Sequence, residues 1–258
     1  PDFVRQWFDS LLPIMILIAG GWLIVQVAGV DVAGAVQAVF MPLQSALTSP
    51  VGFVFFCFLK CFIYSMGIST WVLTPVDEPV KLAVITANLE LVAAGIATYQ
   101  NLGIFTETFM FCTYLWIGGV GCTLSLCLLM MFICKSSELK ALGRACVVPG
   151  IFNINEPIIF GAIAWNPLLM LPMWLQGIIL PIVTYIFTKV IPFAPIPRIQ
   201  FDLWYCPYPI STFIATQGSI TGVIFAILTF VLSAVIWFPF VKAYDDQKVK
   251  EETAAIKA

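Results

Sequence analysis

The stretch Phe152-Asn153-Ile154-Asn155-Glu156-Pro157 places two amides and a carboxylate between apolar runs. A carboxylate accepts hydrogen bonds and can take up a proton, while an amide both donates and accepts. Together they can grip a ligand that carries many hydroxyl groups, and the acid can act as a general base toward one of them. Glu156 also stands directly before Pro157, where an acceptor commonly caps a helix. Ligand contact and capping both fit Glu156, and the same two roles are open to Asn153 and Asn155.

Aromatic side chains flank the polar stretches: Tyr64, Trp71, Trp165, Trp204, Tyr205 and Tyr208. Rings of this kind stack on the apolar face of a sugar, and they also anchor helices at a membrane interface. Asp77 and Glu78 lie between Pro75 and Pro79, with Lys81 close by, and read as water-facing loop charges. The chain has no histidine, and its eight cysteines mostly sit in apolar runs, where a free thiol behaves as a small hydrophobe. No metal-ligand spacing is present, so neither a metal nor a cofactor is expected.

These groups sit in a chain of 258 residues that is 61% hydrophobic and only 10% charged. A soluble domain carries about 25% charged residues, so this surface must largely face lipid. The net charge of −2 offers no basic footprint for nucleic acid. The expected class is an all-α, polytopic transmembrane helical domain. Residues 1–10 do not resemble a signal peptide and read as an amphipathic lead-in, the start of a chain whose beginning is missing.

A bilayer core needs about 20 helical residues, and several segments qualify. Residues 11–30 are an uncharged span; 31–48 are amphipathic and read as interfacial; 51–66 are a second span interrupted by Lys60, which must face protein or snorkel. Residues 67–80 hold two prolines, so a continuous helix is not expected there. Residues 81–100 have a helical pattern, and 106–134 read as one long span. Residues 135–144 form a basic loop, 168–188 another span, 191–211 a proline-rich broken segment, and 213–241 the last span. The domain thus ends at residue 241, followed by a charged, solvated tail, 242–258. The basic loop and the tail both belong on the cytoplasmic side by the positive-inside rule, which makes 152–167 a hairpin entering and leaving one face. Two interrupted, polar segments at membrane depth, 67–80 and 152–167, point to a substrate site.

The run PGIFNINEPIIFG, followed by NPLLMLP, resembles the signature of the membrane IIC subunit of phosphotransferase-system sugar transporters, the lactose/cellobiose/diacetylchitobiose type. IGGVGCTLSL (117–126), FIYSMGIST (62–70), LWYCPYPISTFIATQGS (203–219) and IWFPFVKAY (236–244) resemble other pieces of that type in order. The likeness covers nearly the whole chain and corresponds to the second half of a full subunit.

The resemblance implies a helical membrane domain with two re-entrant hairpins around one sugar, in the bacterial cytoplasmic membrane. It implies a homodimer joined largely through N-terminal helices absent from this sequence. It also implies that partner IIB and IIA proteins or domains deliver phosphate to the sugar, the IIC subunit holding none. Carried over by position, Glu156 binds the hydroxyl that receives phosphate and acts as its base; Asn153 and Asn155 shape the hairpin and its contacts. Trp204 falls at a stacking tryptophan, and Tyr64 falls where the family has Trp. Gly118, Gly119 and Gly121 allow close approach of backbone or sugar, or simply pack helices.

The family's Gly-Ile-His-Gly is here Gly67-Ile68-Ser69-Thr70. Ser69 can hydrogen-bond but cannot hold a proton near neutral pH as His does. Three outcomes stay open: Glu156 works without the His, the substrate differs, or the chain is degenerate; the adjacent Asp77 and Glu78 are substitutes for the His if they are not simply loop charges. Free-sugar facilitation or secondary transport, and a non-transporting partial subunit, are therefore the alternatives to phosphorylating transport.

Overall fold

The computed structural model describes residues 2–29 and 42–257, and it divides into two units, residues 1–43 and 44–258. Among the described residues every regular element is helical. The first unit holds helix α1 (Asp2–Ala28). Its apolar residues from Leu11 to Val27 stand largely exposed, as on a helix whose surroundings are lipid or another helix. The interfacial segment expected over 31–48 falls mostly outside the described residues.

A short helix α2 (Pro42–Thr48), all but its first two residues in the second unit, meets α3 (Pro50–Ser65) at a bend of 88°. The bend falls at Ser49, whose hydroxyl accepts from the Gly52 N–H at 3.0 Å, while Pro50 opens α3 where its missing N–H is harmless. A 3-10 turn (Thr70–Leu73) leads into α4 (Thr74–Ala93). The break expected over 67–80 is therefore shorter than its prolines implied. Pro75 lies in the first turn of α4, where it is tolerated, and the helix continues through Pro79.

The long span expected at 106–134 is not one helix. It divides into α5 (Glu107–Cys112) and α6 (Leu124–Phe132), joined by a folded turn over 113–123. Gly118, Gly119 and Gly121 all have positive φ, as does Cys122. The turn is apolar because it is buried in protein: Tyr114, Leu115 and Trp116 are completely enclosed. Its backbone finds partners there, with the Trp116 N–H donating to Met110 O at 3.1 Å and the Thr123 hydroxyl to Gly118 O at 2.6 Å. Irregular backbone at membrane depth requires such partners.

Helix α7 (Ser137–Ile151) starts inside the segment expected to be a basic loop. After a turn come the short α8 (Glu156–Ile158), prolonged by a π-helical turn (Ile159–Ile163), and then α9 (Pro167–Tyr185), prolonged to Val190. Residues 191–209 are irregular, as their prolines imply, and α10 (Ile210–Ala215) precedes α11 (Ile220–Lys257). The α9 and α11 segments are each long and apolar enough to cross a membrane, and the bent α2–α3 pair is a third candidate.

Helix α3 packs along α9, α6 along α7, and α11 against both α9 and α6. In lipid, such contacts rest on close packing and interhelical hydrogen bonds more than on the hydrophobic effect. Gly177 shows the closeness: a Cβ there would come within 2.8 Å of Phe58 Cα on α3. Ser233 on α11 ties three elements together. Its hydroxyl meets that of Ser125 at 2.8 Å and Cys122 O at 3.1 Å, and its carbonyl accepts from Gln176 Nε2 at 3.0 Å.

Residues 242–257 continue α11 and are not simply solvated. Asp245, nearly buried, accepts from the backbone N–H groups of Lys135 and Ser136 at 2.8–2.9 Å. Glu252 accepts from the Ser136 hydroxyl at 2.7 Å and from the Glu138 N–H at 3.0 Å. Two acids thus satisfy the open donors at the start of α7 and complement its dipole. They also place the basic segment and the tail at one end of the bundle, as the charge pattern requires.

Candidate functional site

The turn between α7 and α8 carries Asn153, Asn155 and Glu156. Asn153 adopts a left-handed backbone conformation, φ 61°, which Asn tolerates better than most residues. Its side chain reaches two other segments. Oδ1 accepts from the Gly118 N–H at 2.7 Å, and Nδ2 donates to Trp204 O at 2.5 Å and to Cys206 O at 3.4 Å. Asn155 donates from Nδ2 to Val120 O at 2.9 Å and accepts from the Tyr64 hydroxyl at 3.3 Å. Both amides are nearly buried. Their bonds join the turn to the glycine-rich segment, to the 204–206 segment and to α3.

Gly119 is where this assembly is tightest. Its φ is +94°, and an added Cβ would lie 2.6 Å from Asn155 Nδ2. Only glycine leaves room for the amide here.

Glu156 is different: it is exposed, and it begins α8. The N-cap residue is Asn155, and neither it nor Glu156 makes a side-chain capping bond to the helix. The capping role considered for this acid is therefore not the one it plays. Its carboxylate lies within interaction range of the Tyr64 hydroxyl and faces a cavity.

That cavity gives water centres about 110 Å³ of free space. Asn153, Asn155 and Glu156 line it from the turn, Gly119 and Val120 from the glycine-rich segment, and Lys60 and Tyr64 from α3. Thr70, Trp71 and Thr74 close it at the start of α4, with Trp204 from the irregular 191–209 stretch. Six of the ten residues singled out from the sequence thus meet around one hollow: Tyr64, Gly119, Asn153, Asn155, Glu156 and Trp204.

The other four lie apart from its lining. Ser69 is exposed and accepts from the Trp71 N–H at 3.4 Å, starting the 3-10 turn; its neighbours Thr70 and Trp71 face the cavity instead. Gly67 closes α3, its N–H donating to Tyr64 O at 3.0 Å. Gly118 acts through its backbone bond to Asn153, and Gly121 packs toward Met173. Trp165, Tyr205 and Tyr208 also stand outside the lining.

Four charged residues complete the wall: Lys60, Glu78, Lys81 and Glu107. Asp77 lies behind them, fully buried, and does not face water as a loop charge would. Lys60 pairs with it at 2.7 Å, and Lys81 reaches Asp77 at 3.4 Å, Glu78 at 2.8 Å and Glu107 at 2.7 Å. The Lys60 ammonium also sits 5.3 Å from the ring centroids of both Phe56 and Phe111. The reason Asp77 is inside is helical: α4 begins before it, so Asp77 and Lys81 share a face one turn apart and turn together toward Lys60. The intramembrane Lys60 was the signal that an acid had to be near; which acid was not visible in the chain.

A polar hollow with an exposed carboxylate, hydroxyls, fixed amides and four aromatic side chains, Tyr64, Trp71, Phe111 and Trp204, suits a neutral polyhydroxylated ligand. A profile of the phosphotransferase system EIIC family matches residues 1–177. The chain is 34% identical over 260 residues to a "PTS system lactose-specific EIICB component" of Lactococcus lactis subsp. lactis, covering 98% of this chain and 44% of that one. It is 32% identical over 261 residues to a "PTS system cellobiose-specific EIIC component" of Geobacillus stearothermophilus, covering 98% and 57%. Among solved structures it is similar to the transporter ChbC, the IIC component from the N,N'-diacetylchitobiose-specific phosphotransferase system, with a TM-score of 0.77 at 30% identity, over 98% of this chain and 59% of that one. The chain spans about half the length of the curated relatives it matches.

Proposed function

The chain belongs to the phosphotransferase system EIIC family, and from that premise we propose that it is a multi-pass sugar permease of the bacterial cytoplasmic membrane. Its cargo is a β-linked disaccharide of the cellobiose, lactose or diacetylchitobiose class, the sugars in its relatives' names. A IIB partner, recharged through IIA, phosphorylates the sugar while it is held, and two copies of the chain form the working unit.

The observation that carries this reading is the meeting of Glu156 with Tyr64, Trp204 and the two fixed amides around one cavity. At about 110 Å³ the hollow is several times larger than the roughly 10–15 Å³ needed to admit one water, so it has room for more than a single solvent molecule. Trp204 and Tyr64 offer faces for a sugar ring. Glu156 accepts a hydrogen bond from one hydroxyl. In the transfer step that hydroxyl oxygen bonds to phosphorus, the bond from phosphorus to the IIB side chain breaks, and the hydroxyl proton passes to Glu156.

One observation favours a second reading, movement of free sugar without phosphorylation: the chain has no histidine, and Ser69 stands where the family has one. Vesicles holding the full chain, with the matching IIB and its phosphate carriers inside, separate the two. Accumulated sugar phosphate supports the first reading. Equilibration of unmodified sugar supports the second, and no movement of any tested disaccharide defeats both.

A further inference from the structure

The exposed Glu156 is not the only acid facing the cavity with an oxygen to offer. Lys81 directs its ammonium to Asp77, Glu78 and Glu107, so its three donors are already matched by acids. Lys60 is bonded to Asp77 and covered by the rings of Phe56 and Phe111. The two cations are thus committed to the protein. Glu107 is not: Lys81 holds its Oε2 at 2.7 Å, its Oε1 accepts no hydrogen bond from the described residues, and the side chain is 23% exposed, on the cavity wall.

Its placement is rigid. Glu107 is the first residue of α5, whose N-cap Thr106 accepts from the Phe109 N–H at 3.1 Å. Phe111 is one helical turn further along and lines the same cavity, so α5 presents a carboxylate and a ring on one face. That pairing, an acceptor for hydroxyls beside a surface for C–H groups, repeats on a second wall what Glu156 and Trp204 provide on the first.

We propose that Glu107 is a second sugar-binding carboxylate of this site, accepting a hydroxyl through Oε1 while Lys81 holds its Oε2. The inference rests on the reading of the cavity as a sugar site and makes Glu107 a determinant of which sugar fits.

The test is equilibrium binding to the purified full chain in detergent, read from tryptophan fluorescence, since Trp71 and Trp204 line the cavity. The probes are cellobiose, lactose and diacetylchitobiose, then single-deoxy analogues of whichever binds. If none of the three binds the parent chain, the underlying reading fails before any variant is made, and the inference falls with it. If one binds, Glu107→Gln should weaken it on the order of 10- to 100-fold, the value of one hydrogen bond to a charged group. The deoxy analogue lacking the contacted hydroxyl should bind parent and variant alike. Unchanged affinity in Glu107→Gln, or equal weakening for the sugar and every deoxy analogue, overturns the proposal, because a merely structural role would give one of these. Should Glu107→Gln fail to fold, Glu107→Asp shortens the reach while keeping the charge and is held to the same criterion.

Discussion

Asn153 and Gly118 stand 35 residues apart in the chain and are joined by a 2.7 Å hydrogen bond, the glycine N–H donating to the amide oxygen. The same amide donates to Trp204 O and Cys206 O, so one side chain holds three segments against each other. Asn153→Asp keeps the acceptor for Gly118 and turns the donor into an anion facing two carbonyl oxygens. Leaving buried partners unsatisfied costs about 1–3 kcal/mol each. Thermal unfolding in detergent should show Asn153→Asp destabilised by at least that much, and more than Asn155→Asp, which loses one donated bond. Equal stability of the two variants would contradict this division of labour.

Glu156→Gln keeps the side chain's shape and an acceptor oxygen but cannot take a proton. Sugar phosphorylation in the vesicle assay should fall by about 10²–10⁴, the usual contribution of a general base. Disaccharide affinity should change much less. A phosphorylation rate within a few-fold of the parent would remove this acid from the chemistry.

Asp77 has no exposure and pairs with Lys60 at 2.7 Å. Asp77→Asn leaves a buried ammonium without its nearest anion, a loss of about 3–5 kcal/mol by analogy with other broken buried pairs. The double change Lys60→Met with Asp77→Leu removes both charges and should recover most of that loss. Urea or heat denaturation of the three variants checks the order, and a double variant less stable than Asp77→Asn would show that the pair is not the cause.

The Glu138 N–H and the hydroxyl of Ser136 hold the Glu252 carboxyl down at about 2, below the ordinary value of 4.5. A depressed carboxyl contributes stability that is complete above about 4.5 and lost as pH falls through about 2. The difference in melting temperature between the parent and Glu252→Ala should therefore be constant from neutral pH to about 4.5, then shrink toward zero near 2. A difference that instead grew on acidification would reverse the sign of this linkage.

Much of this arrangement is legible in the residues. The scarcity of charge marks a membrane chain, and its long uncharged runs, instead of strands alternating polar with apolar residues, mark it as helical. The amides and acid before Pro157 mark the turn where chemistry is concentrated, and the lack of any histidine is plain in the chain alone. Only the tertiary structure decided that 106–134 is two short helices around a folded turn, since hydropathy measures distaste for water and is blind to whether lipid or protein replaces it. It also decided that the amides of Asn153 and Asn155 bind the protein's own backbone and Tyr64, that Ser69 stands off the cavity, and that Lys60, Asp77, Lys81 and Glu107 converge there. Those outcomes depend on hydrogen bonds and ion pairs between residues far apart in sequence, and no local pattern of residue types states which distant partner a polar group will find.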